Sequence, residues 1–212
     1  MGLKPDNMKK KIAGIILAAG GSSRMGEPKL MLDWHGLPLI RWVARITLAA
    51  GCSPVIVVTG ANSSAIEASL AGLMLQFAHN PDWGNGQSTS VRTGIEALTD
   101  DIDAAMIFLG DQPQIPLIVP QILIHIYQTE TPPPPILVTA IGEKRANPVL
   151  FDRAMFPVLT ALEGDAGART IFSHYPVQLI PFDNLDLGLD VDSPKDYRRL
   201  MELPPPELPP ID

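Results

Sequence analysis

The chain contains one cysteine, Cys52, among 212 residues. That excludes an intramolecular disulfide, cysteine-pair zinc sites and cysteine-bound iron–sulfur clusters. Its four histidines, His35, His79, His125 and His174, include no pair at i, i+4, so no helical histidine metal pair is present. Charge is scarce. Asp, Glu, Lys and Arg make up 18% of the residues, against about 25% in an ordinary globular chain. The charge present leans acidic, with 16 basic and 23 acidic residues and a formal net charge of −7. A nucleic-acid binder needs a basic face, so this balance argues against polymeric nucleic acid as a partner. It does not argue against a single nucleotide, which a few local cations can hold. Long apolar runs are also missing. The longest, Ile12–Gly20, has nine residues, whereas a membrane helix needs about 20. Lys9, Lys10 and Lys11 precede that run like the basic start of a leader, but the residues after it read better as a strand and loop. A cytoplasmic protein with no membrane partner is expected.

Apolar residues are plentiful at 46%, enough for a large core. Proline, at 22 residues, is concentrated: Pro132–Pro135, Pro204–Pro206, Pro209 and Pro210 form two short stretches. Elsewhere, short runs recur that are apolar on both faces: Ile12–Ala18, Val55–Thr59, Leu75–Ala78, Ala104–Leu109 and Ile136–Ala140. Such runs read as buried parallel strands. Helix-period stripes alternate with them. One comprises Leu39, Ile40, Val43, Ile46 and Ala50 and ends at Gly51; another comprises Val91, Ile95 and Leu98, with Ser88 or Ser90 as N-cap; a third comprises Ile118, Ile122 and Ile126. The alternation predicts an α/β fold with a mostly parallel sheet. Residues 1–11 read as a flexible polar arm, 12–200 as one domain and 201–212 as a proline-rich tail. Ligands of such sheets lie beyond the carboxyl ends of the strands. The loops after Ala18, Ala78 and Leu109 should therefore share one crevice.

The first of these loops begins Leu17-Ala18-Ala19-Gly20-Gly21-Ser22-Ser23 and continues Arg24-Met25-Gly26-Glu27-Pro28-Lys29. Glycines let backbone N–H groups approach phosphate oxygens, and Arg24 and Lys29 can neutralise phosphate charge. It is not a P-loop, because Glu27 stands where lysine is required. Nor does it contain the Gly-x-Gly of a dinucleotide fingerprint. It resembles, at every fixed position, the signature of the molybdopterin nucleotidyltransferase family, Leu-Ala-(Ala or Gly)-Gly-x-Ser-x-Arg-Met-Gly-x-x-Lys. The resemblance implies the single-domain, Rossmann-like fold of nucleotide-diphospho-sugar transferases, with helices on both sheet faces. It also implies a loop from Leu17 to Lys29 that wraps an NTP. Leu17, Ala18, Ala19, Gly20, Gly21, Ser22, Ser23 and Gly26 would bind the nucleotide, and Arg24 and Lys29 would act on its phosphates. Ala19 is similar to the cytidylyltransferase branch; the guanylyltransferase branch more often has two glycines there.

Asp111 in Gly110-Asp111-Gln112-Pro113 reads by itself as a turn cap. The segment is similar to the family's Asp-x-Pro loop, which implies a Mg²⁺ ligand. Gly188-Leu189-Asp190-Val191-Asp192-Ser193-Pro194 pairs two acids around one apolar residue, which on a strand would share a face. Ser193 and Pro194 read as N-cap and first residue of a last helix. Its likeness to the family's Asp-(Ile/Val)-Asp-Thr-Pro motif implies a second metal contact from Asp192, with Asp190 supporting. Asn80 opens a loop that leads through Gly86, Gln87, Ser88 and Ser90 into a helix start. Helix N-termini favour anions, and the family has a similar segment near the base and ribose, so these five residues are expected at the nucleotide. Asn147 in Asn147-Pro148-Val149, and Asp165 and Arg169 in Gly164-Asp165-Ala166-Gly167-Ala168-Arg169, resemble family elements that imply acceptor binding.

Taken together, the resemblance implies Mg²⁺-dependent transfer of CMP from CTP to molybdopterin, releasing pyrophosphate, with a molybdoenzyme as recipient. Three alternatives stand beside it: a guanylyltransferase for the same cofactor, a cytidylyltransferase for another phosphate acceptor, and a cofactor-delivery chaperone.

Overall fold

The computed structural model describes residues 9–21, 28–142, 144–164, 167–183 and 185–209. The chain opens with strand β1 (Ile12–Ala18), followed by a two-residue hairpin, β2 (Asp33–Trp34) and β3 (Leu37–Pro38). Helix α1 (Leu39–Ala49), strand β4 (Val55–Thr59), helix α2 (Ser63–Ser69) and strand β5 (Gln76–His79) come next. After these stand α3 (Gln87–Glu96), β6 (Ala104–Leu109), α4 (Ile118–Thr129), β7 (Ile136–Ile141) and β8 (Lys144–Asp152). The last elements are α5 (Phe156–Thr160), β9 (Gln178–Phe182) and α6 (Pro194–Met201). No helix among the described residues is long and apolar enough to cross a membrane.

Seven strands form one sheet in the order β5-β4-β1-β6-β8-β7-β9. All neighbours pair in parallel except at β8, which runs antiparallel to both β6 and β7. The fold is thus the α/β, mostly parallel sheet that the apolar runs predict. The strand period divides the core. Ile12 and Ile16 of β1 pack with Ile40 and Val43 of α1, Ile66 of α2 and Leu123 of α4 on one face. Ile15, one residue out of phase, packs on the other face with Val91 and Ile95 of α3 and Leu159 of α5. Gly51 takes φ +91° just past α1, a left-handed turn that a side chain would strain.

A third, smaller cluster fastens the end of the domain. Trp34 is fully buried beside Trp42, Val191 and Leu200. Its Nε1–H donates to the Leu200 carbonyl at 3.0 Å, and its own carbonyl accepts from Trp42 Nε1 at 2.7 Å. The hairpin that carries Trp34 is invisible to sequence periodicity, because each strand is two residues long.

Close packing of α3 on the sheet depends on Gly94. A Cβ there would lie 2.6 Å from Ile15 Cγ2 and 3.2 Å from Val58 Cγ2. Alanine is the better helix former by about 1 kcal/mol. The clash is nevertheless expected to win, and Gly94→Ala should lower stability by about 1–3 kcal/mol. Urea denaturation checks this, and a midpoint equal to or above the parent's would contradict it.

Candidate active site

The loops after β1, β5 and β6 do meet. Residues Ala18–Gly21, Trp83, Gly84, Gly86, Gln87, Leu109 and Asp111 border a cavity of about 360 Å³ at the carboxyl ends of the strands. A second cavity of about 360 Å³ adjoins it, bordered by Asn147, Arg169, Asp190 and Asp192 and floored by Phe151 and Phe172. Leu17, Gln87, Leu109 and Asp111 line both. The crevice is therefore one groove with two lobes, and Asp111 stands at their junction.

Lys29 sits at the same junction. Pro28 precedes a short 3-10 turn over Lys29–Met31, which buries Leu30 and places Lys29 at the cavity edge. Its Nζ donates to Asp111 Oδ2 at 2.5 Å and to Asp192 Oδ1 at 2.8 Å. Burial pulls the ammonium's pKa down, but the charges of Asp111 and Asp192 and their hydrogen bonds more than offset this and hold it above the ordinary lysine value. Lys29 is thus a fixed cation. It couples the first loop to residues 82 and 163 positions further along the chain.

Asp190 and Asp192 do not share a strand face. Residues 189–193 are irregular, and the Asp192 N–H donates to the Asp190 carbonyl at 3.1 Å. The reason is a glutamine staple. Gln114 Nε2 donates to the carbonyls of Asp186 and Leu189 at 3.0 and 2.8 Å, folding this segment over the Asp111 loop. Gln112 Nε2 donates to Asp190 Oδ1 at 2.6 Å. Desolvation and the nearby Asp111 charge push the Asp190 carboxyl above the ordinary aspartate range, against the Gln112 hydrogen bond. The two acids border the same lobe but take different partners.

Two residues expected at the nucleotide lie behind its wall. Asn80 is buried, donating through Nδ2 to Thr89 Oγ1 and Ser90 Oγ and accepting the Asp82 N–H. Ser88 is buried too, and its Oγ donates to the Gly164 carbonyl at 2.6 Å. Neither serine caps α3, whose N-cap is Gly86 at φ +109°. A glycine in that conformation turns the chain so that Gln87 and Ser90 face the groove. Ser193 does cap α6, accepting from the Asp196 N–H. Ser22, Ser23, Arg24, Gly26 and Asp165 lie outside the described residues.

The second lobe carries a polar group in want of a partner. Asn147 is buried, and its Nδ2 finds no acceptor. Sequence reasoning overlooked Gln112, Gln114 and Trp83, and nothing in their local pattern distinguishes them from ordinary loop residues.

The donor set fits a divalent cation. Asp111 and Asp192 already converge on one ammonium, so their oxygens are within reach of one ion. Among the described residues no cluster of three or more His, Cys, Asp or Glu is gathered for a metal. A pair of carboxylates completed by phosphate and water oxygens suits Mg²⁺ better than a cation that needs an all-protein cage.

The family described as the MobA-like NTP transferase domain matches residues 14–179. A protein named nicotine blue oxidoreductase from Paenarthrobacter nicotinovorans is 29% identical over 90% of this chain and 96% of its own length. The molybdenum cofactor cytidylyltransferase of Escherichia coli is 28% identical over 86% of this chain and 92% of its own. Among solved structures, Rv0371c of Mycobacterium tuberculosis superposes with a TM-score of 0.83 at 28% identity, covering 92% of this chain and all of that one. The same protein was also solved in complex with manganese, with a TM-score of 0.77 at 26% identity over 92% of this chain and 100% of that one.

Proposed function

Because the chain belongs to the MobA-like NTP transferase family, we propose that it transfers CMP from CTP to molybdopterin and releases pyrophosphate. The observation that carries this reading is the placement of Lys29 and Asp111 at the junction of two lobes. One lobe has the glycine loop of a nucleotide site, and the other has an aromatic floor bordered by Asn147 and Arg169. A planar heterocycle that bears a phosphate fits the second. The E. coli relative's name supports molybdopterin as the acceptor and CTP as the donor. Ala19, which resembles the cytidylyltransferase branch and borders the first lobe, supports CTP as the donor.

The reaction is an in-line displacement. An acceptor phosphate oxygen attacks the α-phosphorus, the bond to the β-phosphate oxygen breaks, and pyrophosphate leaves with the electron pair. Proteins that catalyse such transfers act mainly by positioning and charge neutralisation. Lys29 donates to phosphate oxygens as charge builds up, and Arg24 is assigned the same task by the family motif. Backbone N–H groups of Ala18–Gly21 hold the nucleotide, with Gly86, Gln87 and Ser90 opposite. Asn147 and Arg169 orient the acceptor. Mg²⁺ held by Asp111 and Asp192 would neutralise phosphate charge at the junction. The work is cytoplasmic, and a molybdoenzyme receives the product.

The test incubates the protein with Mg²⁺, molybdopterin and each of four NTPs, and measures pyrophosphate. CTP is expected to give turnover well above the other three. A preference for GTP would overturn the base assignment, and no pyrophosphate with any NTP would overturn the reaction. Since one relative is named an oxidoreductase, reduction of nicotine blue is followed in parallel and is expected to be absent.

A further inference from the structure

We propose that Trp83 is the stacking platform for the nucleobase, an inference that rests on the NTP reading above. The placement follows from the sheet. Strands β5, β4, β1, β6 and β8 stand in that order, so the loops that border the groove are laid out along it. Trp83 follows β5, Gly60 follows β4, Gly21 follows β1, Asp111 follows β6, and Asn147 lies within β8. A nucleotide whose phosphates reach Lys29 and Asp111 can extend away from the acceptor lobe only toward β4 and β5. There it meets the indole.

The indole is built into that end. A Cβ on Gly21 would lie 3.1 Å from Trp83 Cη2 and Cζ3, so the ring covers the loop's second glycine. A Cβ on Gly60 would lie 2.9 Å from Trp83 Cβ, so the root of the side chain packs against Gly60. Two glycines thus leave room for one large ring. The side chain still keeps 39% of its surface exposed, and it borders the nucleotide lobe. A part-exposed aromatic ring at a cavity wall, with its root and tip packed against glycines, is a surface that base stacking can use. Stacking is tolerant of base identity, because every base presents a π-face. Trp83 therefore sets affinity for the base in general.

The molecule carries its own reporter. Trp34 and Trp42 are buried together in the cluster under α6, 0% and 7% exposed. Only Trp83 among the three tryptophans borders the groove. CTP or GTP added to the metal-loaded protein without acceptor is expected to quench tryptophan emission. Trp83→Phe should abolish the quench while keeping KM for the NTP within about threefold. Trp83→Ala should raise that KM about tenfold or more, for both nucleotides, with kcat within about twofold. Circular dichroism confirms that both variants fold. An unchanged KM in a folded Trp83→Ala protein, a quench that survives in Trp83→Phe, or a loss confined to kcat would overturn the proposal. The readouts separate the two readings. Quenching by NTP without transfer to any acceptor sinks the reaction and leaves the platform standing. Turnover without quenching sinks the platform alone.

Discussion

Lys29→Ala is expected to lower kcat by about 10²–10³-fold, with KM for both substrates within a few-fold of the parent. The magnitude is that of removing one preorganised charge donor from a transition state. The reasoning starts from the resting geometry. Lys29 is already held by Asp111 and Asp192, and their charges keep it protonated. As an ammonium at the junction it needs no proton exchange to meet charge that develops on phosphate oxygens there. Steady-state kinetics checks the expectation, since an interaction made only in the transition state lowers kcat and kcat/KM together. A loss confined to KM would place Lys29 in ground-state binding instead. Titration of Mn²⁺ without nucleotide gives a second reading. Removing the ammonium leaves Asp111 and Asp192 without their shared cation, so the variant should bind Mn²⁺ at least as tightly as the parent. Joint collapse of metal binding and turnover would make Lys29 a spacer for the carboxylates.

Trp34→Ala is expected to cost about 3–5 kcal/mol of stability, the range for a large aromatic removed from a tight core. Trp34 is fully buried, packs edge-on against Trp42 with ring centroids 5.6 Å apart, and ties the hairpin to α6 through Leu200. The loss should reach the site. Val191, which packs in the same cluster, lies between Asp190 and Asp192. Urea denaturation followed by circular dichroism measures the cost. Trp34→Phe, which keeps a ring but loses the N–H, should fall between the parent and the alanine variant. A cost below about 1 kcal/mol for alanine would show that the cluster is not a fastening.

The strands were legible because most of them are buried on both faces and leave uninterrupted apolar runs. Legibility failed at β8, whose buried stretch is interrupted by the polar Asn147 and Pro148, and at the sheet edge. Strand β5 is at the sheet edge, with Gln76 and Phe77 exposed, and it is displaced by one residue from the run Leu75–Ala78. The carboxyl-end rule located Gly20, Gly21 and Asp111 because they follow parallel strands. It has no purchase on Asn147, since β8 runs the other way and brings the first half of the strand to the groove. The serines of α3 misled for a different reason. A cap and a buried hydrogen-bonding position attract the same residue type, and only the backbone turn at Gly86 decides between them. The Gln112 and Gln114 staple connects segments 78 and 72 or more residues apart, a distance over which local pattern carries nothing.

The narrowness of the wall between the two lobes bears on how this scaffold can change. Four described residues, Leu17, Gln87, Leu109 and Asp111, face both sides. Lys29 reaches across that wall as well, from the first lobe to Asp192 of the second. The floor of the second lobe, Phe151 and Phe172, comes from late in the chain, whereas the glycine loop comes from its beginning. Drift in the late half can reshape the second lobe while the first stays under its own constraint. The four shared positions and the Lys29–Asp192 pair bind the two histories together.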